Sequence, residues 1–183
     1  MAAHTKFLRV SCLPLVEQAA HEHQAEIVVS LLSPGTEMPV LSHLHLQTHA
    51  QHYFHDQESV LPEGMEEAVH SVIALGKSWR NKKHLPNILV HCHGGVSRST
   101  AATYMLLCAS HPDIKPAVHF DALLKMTNKP WPNLRMVEMA DRLLEYKGAM
   151  IEPLAAYRAK HPKRIDAYHR RNVRRGITGY PPR

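Results

Sequence analysis

The sequence has few cysteines and no long apolar stretch, and these absences narrow the class of protein. Of 183 residues only three are cysteine, and Cys12, Cys92 and Cys108 form neither a disulfide framework nor a paired metal-binding motif. No stretch approaches the roughly eighteen consecutive apolar residues of a transmembrane segment. The first ten residues also lack the apolar core of a secretory signal. We therefore expect a protein without a transmembrane segment in a reducing, cytoplasmic compartment.

Acidic residues are scarce near the C-terminus, so the net charge of +6 does not describe the whole chain. Residues 158–183 carry nine Lys or Arg and one acid, whereas residues 1–157 carry thirteen basic and fifteen acidic residues. The resulting net charges are +8 and −2. Two interpretations of the basic segment stay open: a solvated tail, or a surface for an acidic partner, an anionic lipid or a nucleic acid.

The pattern of apolar residues predicts an α/β fold in which strands and helices alternate early and helices dominate late. We expect strands at residues 6–10, 26–32, 44–47 and 88–90. Helices are expected at residues 13–20, 63–79, 99–108, 117–127 and 133–147, with a polar loop at 48–62. These elements predict a small, central, mostly parallel sheet of four to five strands flanked by helices, with a helix-rich C-terminal half.

The most informative stretch joins the predicted strand at 88–90 to the predicted helix at 99–108. Residues 91–98 between them have the sequence HCHGGVSR. A glycine-containing loop at a helix N-terminus directs backbone N–H groups at an anion, which the helix dipole also favours. The same environment favours the thiolate form of Cys92, and Arg98 provides a planar fork for two phosphate oxygens. The pattern therefore predicts a cysteine nucleophile that attacks a phosphate monoester.

Several residues of this loop match the predicted phosphate-binding pattern, and their combination makes the pattern specific. A cysteine followed by an arginine six positions later would arise by chance in roughly one such chain in five. The additional match at His91, Gly95 and Ser99 lowers this to roughly one in ten thousand. The competing interpretation is a buried structural cysteine beside an arginine that begins a helix.

The run HCxxGxSRS at residues 91–99 resembles the signature loop of the cysteine-based protein tyrosine phosphatase superfamily, in its dual-specificity-like form. Residues 27–34, the region of Asp56, and residues 131–150 resemble a bacterial branch of single-domain tyrosine-phosphatase-like proteins. The resemblance covers residues 5–157. It implies a phosphatase domain at 1–157, followed by a basic C-terminal tail at 158–183.

A proton donor must complete the site, because phosphoryl transfer to Cys92 expels an alkoxide or phenolate. Asp56 is the only aspartate before Cys92 and lies 36 residues upstream, in the polar loop. The resemblance places the acid on a loop at about this separation. A solvated or helix-capping aspartate is the competing interpretation, and Glu58 is the second candidate for the acid.

The predicted catalytic set is completed by Ser99, whose hydroxyl can donate to the Cys92 sulfur, although a plain first-turn helix serine would also fit. The predicted phosphate-binding residues are those of the loop: His93, Gly94, Gly95, Val96, Ser97 and Arg98. We expect no metal and no cofactor, because Arg98 and the amides neutralise the phosphate charge. Asn133 and Arg135 receive no catalytic role, since helix capping and surface charge explain them equally well.

Histidines are abundant between residues 43 and 55, and His43 with His45 could begin a metal site. No carboxylate–histidine motif accompanies them, so surface and loop histidines are the better interpretation.

Together these features predict a cysteine-dependent phosphomonoester phosphatase with a phosphocysteine intermediate. A protein-tyrosine or dual-specificity phosphatase acting on phosphorylated proteins is the favoured function. Two alternatives stay open: a phosphatase for a non-protein phosphomonoester, such as an inositol phosphate or a nucleic-acid end, and a catalytically silent phosphate-binding module. The sequence also leaves open whether Cys108 pairs reversibly with Cys92.

Overall fold

A single parallel sheet forms the centre of the computed structural model, which describes residues 5–80 and 82–174. Its four strands lie in the order β1-β4-β2-β3. They are β1 Leu8–Cys12, β2 Ile27–Leu32, β3 Thr48–Tyr53 and β4 Ile88–Cys92. Because all four strands run in the same direction, their carboxyl ends meet at one edge of the sheet, and the loop at 93–97 lies at that edge.

The described residues also form seven α-helices. They are α1 Val16–Glu22, α2 Met65–Lys77, α3 Arg98–Ser110, α4 Pro116–Met126, α5 Leu134–Leu143, α6 Ile151–Ala159 and α7 Arg164–Arg174. A 3₁₀ turn at Leu13–Leu15 precedes α1. The α/β fold predicted from the sequence is confirmed, including the parallel sheet and the helix-rich C-terminal half.

The two central strands explain why the core forms where it does. Every residue of β2 and of β4 is buried, because helices cover both faces of the sheet there. Val28 and Leu89 pack against α1 on one face. Ile27, Val29 and Ile88 pack on the other face, in the larger core that α2 to α6 share.

The position predicted for the third strand is wrong. The strand forms at Thr48–Tyr53, inside the expected polar loop, and pairs with β2 from Ile27↔Thr48 to Leu32↔Tyr53. β3 is an edge strand whose side chains are partly or fully exposed. Polar residues are therefore tolerated along it, and the apolar pattern that identifies a buried strand is absent.

The C-terminal region contains more helix than the sequence indicates. The helix expected at 133–147 ends at Leu143, and α6 and α7 follow it. Helix α6 runs across the expected domain boundary at residue 157, and α7 occupies part of the expected tail. Residues 175–183 of that tail lie outside the described residues. None of the helices in the described ranges is long and apolar enough to cross a membrane.

Candidate active site

The loop between β4 and α3 packs closely against the end of β1. Gly95 has a φ of +67°, and a Cβ atom there would lie 2.8 Å from the carbonyl oxygen of Ser11. Only glycine fits this position without displacing backbone. Gly94, in contrast, faces open space, since a Cβ atom there would meet nothing within 4 Å. Of the two loop glycines, Gly95 is the one that the close approach requires.

Hydrogen bonds from outside the loop fix its carbonyl groups. The His93 carbonyl accepts from the Leu13 N–H at 3.2 Å, and the Val96 carbonyl accepts from the Trp131 N–H at 2.9 Å. The Thr100 hydroxyl also donates to Val96, at 2.5 Å. In a trans peptide the carbonyl and the next N–H point in opposite directions, so carbonyls that are held outward turn N–H groups inward. This arrangement suits an anion at the centre of the loop.

Cys92 ends β4 with its side chain buried beneath this loop. Its Sγ lies 3.2 Å from the Oγ of Ser99, and Ser99 is fully buried in the first turn of α3. Cys108 lies nine residues beyond Ser99 on the same helix, about 13 Å away along its axis. This axial separation argues against a Cys92–Cys108 disulfide, and all three cysteines are free.

The guanidinium of Arg98 is buried and held from two sides. Nη1 donates to the Phe54 carbonyl at 2.6 Å and to Ser33 Oγ at 3.3 Å, and Nη2 donates to His93 Nδ1 at 2.9 Å. Nε makes no hydrogen bond to any described residue and lies 3.9 Å from Asp56 Oδ2. An unsatisfied buried donor is costly, and a phosphate oxygen would satisfy this one.

The His93 side chain orients Arg98, a role that the sequence did not indicate. Burial, followed by the nearby Arg98 charge, lowers the pKa of His93 to about 4, so the ring is neutral near pH 7. Because Nδ1 accepts from Arg98, the proton of the neutral ring lies on Nε2, which is 2.9 Å from Thr36 Oγ1. His93 therefore links Arg98 to the loop after β2.

Asp56 lies against the phosphate loop, and its side chain is only 10% exposed. Its Oδ1 accepts hydrogen bonds from Ser97 Oγ at 2.7 Å and from Asn133 Nδ2 at 2.8 Å. The side chain is therefore not a solvated loop aspartate. Asn133 also caps α5, since its Oδ1 accepts from the Met136 N–H at 3.1 Å. One residue thus caps a helix and positions the candidate acid.

Glu58, the second candidate for the acid, is engaged elsewhere. Its carboxylate accepts from the Leu134 N–H at 2.8 Å and from both terminal nitrogens of Arg158 at 2.9 and 2.5 Å. The Arg158 guanidinium also lies 4.9 Å from the centroid of the Trp131 ring. Arg135 donates to the Glu58 carbonyl at 3.1 and 2.9 Å. Helices α5 and α6 therefore hold the loop that carries Asp56 in place.

Two further histidines, His91 on β4 and His49 on β3, are linked through Ser30 of β2. His91 Nε2 lies 2.5 Å from Ser30 Oγ, which is itself 2.8 Å from His49 Nε2. Burial lowers the pKa of His91 to about 4. Across the described ranges, no group of three or more His, Cys, Asp or Glu side chains could hold a metal ion.

The low pKa of His91 makes stability depend on pH. In the unfolded chain this histidine has a pKa near 6.5, so between about pH 6.5 and pH 4 the unfolded state binds a proton that the folded state does not. We expect His91 to lower the free energy of unfolding by about 3 kcal/mol as the pH falls through this window. Urea titrations of wild type and His91→Asn measure the difference, and identical pH dependence in both would contradict it.

Comparison with known proteins identifies the fold. A search against models of protein families found no match, and neither did a search of curated proteins. Human DUSP28 is 14% identical, with a TM-score of 0.60 over 80% of this chain and 96% of that protein. The PTP-2 phosphatase of Cydia pomonella is 18% identical, with a TM-score of 0.57 over 74% and 84%. PTPMT1, solved in complex with PI(5)P, is 10% identical, with a TM-score of 0.54 over 78% and 93%.

The chain therefore has the fold of the cysteine-based tyrosine phosphatases, in the dual-specificity-like form of that fold. Within that fold, the residues that the sequence singled out lie together. Cys92, Arg98 and Ser99 surround one loop, and Asp56 contacts the same loop from a segment more than thirty residues upstream.

Proposed function

We propose that the protein is a cysteine-dependent phosphomonoester phosphatase that acts on phosphorylated proteins. The observation that carries this proposal is the contact of Asp56 with the loop between Cys92 and Arg98. Its carboxylate lies 2.7 Å from Ser97 Oγ and 3.9 Å from Arg98 Nε. The residues proposed as nucleophile, phosphate-binding cation and proton donor thus belong to one cluster, and this supports the proposal because phosphoryl transfer through a thiolate requires all three roles.

In the first step the Cys92 thiolate attacks phosphorus. The sulfur–phosphorus bond forms and the bond to the leaving oxygen breaks, while Asp56 gives its proton to that oxygen. Loop N–H groups of residues 93–98 and the free Nε of Arg98 hold the non-bridging oxygens as negative charge redistributes. No metal is needed, because these groups supply the positive charge.

In the second step water hydrolyses the phosphocysteine. Asp56, now a carboxylate, takes a proton from the attacking water, and the sulfur–phosphorus bond breaks to release inorganic phosphate. Ser99, whose Oγ lies 3.2 Å from Sγ, donates to the departing Cys92 sulfur and stabilises it as a thiolate.

The proposed substrate is a phosphotyrosine protein or, more broadly, a dual-specificity phosphoprotein substrate. A non-protein phosphomonoester is the second candidate, because PTPMT1 was solved with PI(5)P bound. An inositol phosphate is the less favoured substrate, because loop residues 93–97 include no lysine that could bind additional phosphates.

The proposal extends to compartment and domains. A thiolate nucleophile needs a reducing environment, and the three cysteines are free, so we propose a cytoplasmic location. We propose residues 1–157 as the phosphatase domain and residues 158–183 as a basic segment for an acidic partner, an anionic lipid or a nucleic acid. Arg158 joins the two through its ion pair with Glu58.

The test is steady-state turnover of para-nitrophenyl phosphate with a chelator present, followed by a panel of phosphotyrosine, phosphoserine and phosphothreonine peptides and of phosphoinositides. We expect metal-independent turnover, a phosphopeptide substrate, and a phosphorylated Cys92 peptide in acid-quenched samples. A folded wild-type protein that binds phosphate without turnover would overturn the proposal in favour of a phosphate-binding module.

A further inference from the structure

A basic groove lies beside the loop that carries Trp131, where α6 turns into α7. Its cavity has a volume of about 570 Å³. Four cationic side chains line it, and no carboxylate does: Lys129, Lys160, Lys163 and Arg164. The lining also includes His161 and Tyr168. The groove therefore concentrates a formal charge of +4 on one shallow surface recess.

Among the described residues, no ion pair engages the three lysines of the groove. Lys129, Lys160 and Lys163 are exposed. Arg164 is half-buried and packs on the Tyr157 ring, with its guanidinium 5.1 Å from the ring centroid. Four like charges that line one recess repel one another, and an anionic ligand relieves that repulsion.

Chain continuity places the groove near the phosphate loop. Lys129 lies two residues before Trp131, whose N–H donates to the Val96 carbonyl at 2.9 Å. Two residues span at most about 7 Å, so the Lys129 ammonium lies within about 15 Å of the phosphate loop. An extended peptide covers this distance with about four residues.

We propose that this basic groove binds acidic side chains located a few residues from the phosphorylated residue of a protein substrate. The inference rests on the proposed phosphatase function and adds a sequence preference to it. The proximity to the phosphate loop favours carboxylates of the bound substrate over a membrane or a nucleic acid, because the phosphate and the carboxylates then belong to one chain. The Tyr168 hydroxyl donates to the Lys129 carbonyl, so this ring forms part of the wall and is not free to stack on a base.

The experiment compares phosphotyrosine peptides that carry glutamate with matched peptides that carry glutamine. The substituted residues lie three to five positions from the phosphotyrosine, and each side of it is tested separately. The test variant is Lys129→Gln/Lys160→Gln/Lys163→Gln. The matched control is Lys77→Gln/Lys82→Gln/Lys83→Gln, which removes three exposed lysines near the amino end of β4, at the other edge of the sheet. Fluorescence anisotropy with the Cys92→Ser protein measures peptide affinity independently of turnover.

On one side of the phosphotyrosine, we expect wild type to prefer the glutamate peptides to the glutamine peptides by about tenfold in kcat/KM, mostly through KM. This preference should be lost as salt rises. The groove variant should lose the preference, whereas the control variant keeps it. Turnover of para-nitrophenyl phosphate should be equal in all three, because this substrate does not reach the groove. The same tenfold preference is expected in peptide affinity.

Equal kcat/KM and equal affinity for glutamate and glutamine peptides would overturn the inference. A second outcome would also overturn the inference: wild type shows no peptide preference but binds anionic vesicles or RNA, and the groove variant loses that binding. The groove would then serve another partner. Failure of para-nitrophenyl phosphate turnover would instead count against the phosphatase function, and peptide affinity would still decide whether the groove binds acidic residues.

Discussion

Replacement of Cys92 by serine is expected to lower kcat by at least about 10⁵-fold. The hydroxyl of serine is not ionised near neutral pH, so the attacking anion is lost although an oxygen occupies nearly the same position. The buried setting under the phosphate loop and the contact with Ser99 stay in place. Initial rates with para-nitrophenyl phosphate measure the loss.

Binding of phosphate should survive this substitution, because Arg98 and the loop N–H groups are unchanged. The matched control is Cys12→Ser, at the half-buried end of β1, which should retain turnover within about twofold of wild type. If Cys92→Ser kept turnover within tenfold of wild type, a phosphocysteine intermediate could not be the route.

Replacement of Asp56 by asparagine is expected to lower kcat by about 10²- to 10⁴-fold for phosphotyrosine peptides. Asparagine keeps an oxygen that can accept from Ser97 and Asn133, so the loop geometry is preserved while the proton is lost. The loss should be smaller for para-nitrophenyl phosphate than for phenyl phosphate, because para-nitrophenolate leaves with little need for a proton.

The dependence on the leaving group separates catalysis from structure. A variant that merely loosened the loop would lose the same factor for every leaving group, and this outcome would assign Asp56 a structural role. Asp121→Asn, on the exposed face of α4, is the matched control and should behave as wild type with both substrates.

The strands that could be predicted are the fully buried ones. β2 and β4 are covered on both faces, so their sequences are mostly apolar and identify them without context. β3 could not be located in the same way, because its exposure at the edge of the sheet removes the apolar pattern. Local sequence thus specifies a strand in proportion to how much of it the fold buries.

The candidate site likewise has a part that the sequence could predict and a part that it could not. The loop at 91–98 is a continuous segment whose residues act together, so spacing alone identified it. Ser33 and the Phe54 carbonyl contact Arg98 across 65 and 44 residues of chain. No local pattern records such contacts, and a carbonyl group has no sequence signal at all. Asn133 was recognised as a helix cap, but its contact with Asp56 across 77 residues was not.

Charge counting does not show which cations of the C-terminal region are packed. Arg158 contributes to the basic excess after residue 157, yet its side chain is only 18% exposed and forms an ion pair with Glu58. Net charge describes solvation well, but it does not distinguish a cation that faces water from one that completes a packed interface.

The pairing of β1 with β4 has a consequence for how the molecule folds. Leu8 lies opposite Ile88, so 80 residues of chain must close before these strands meet, and the phosphate loop packs against the end of β1 through Gly95. Closing so long a loop is slow relative to helix formation. Helices can therefore form well before the cradle that holds the nucleophile. During refolding, recovery of catalytic activity should follow recovery of helical signal, and it should mark the completion of the sheet.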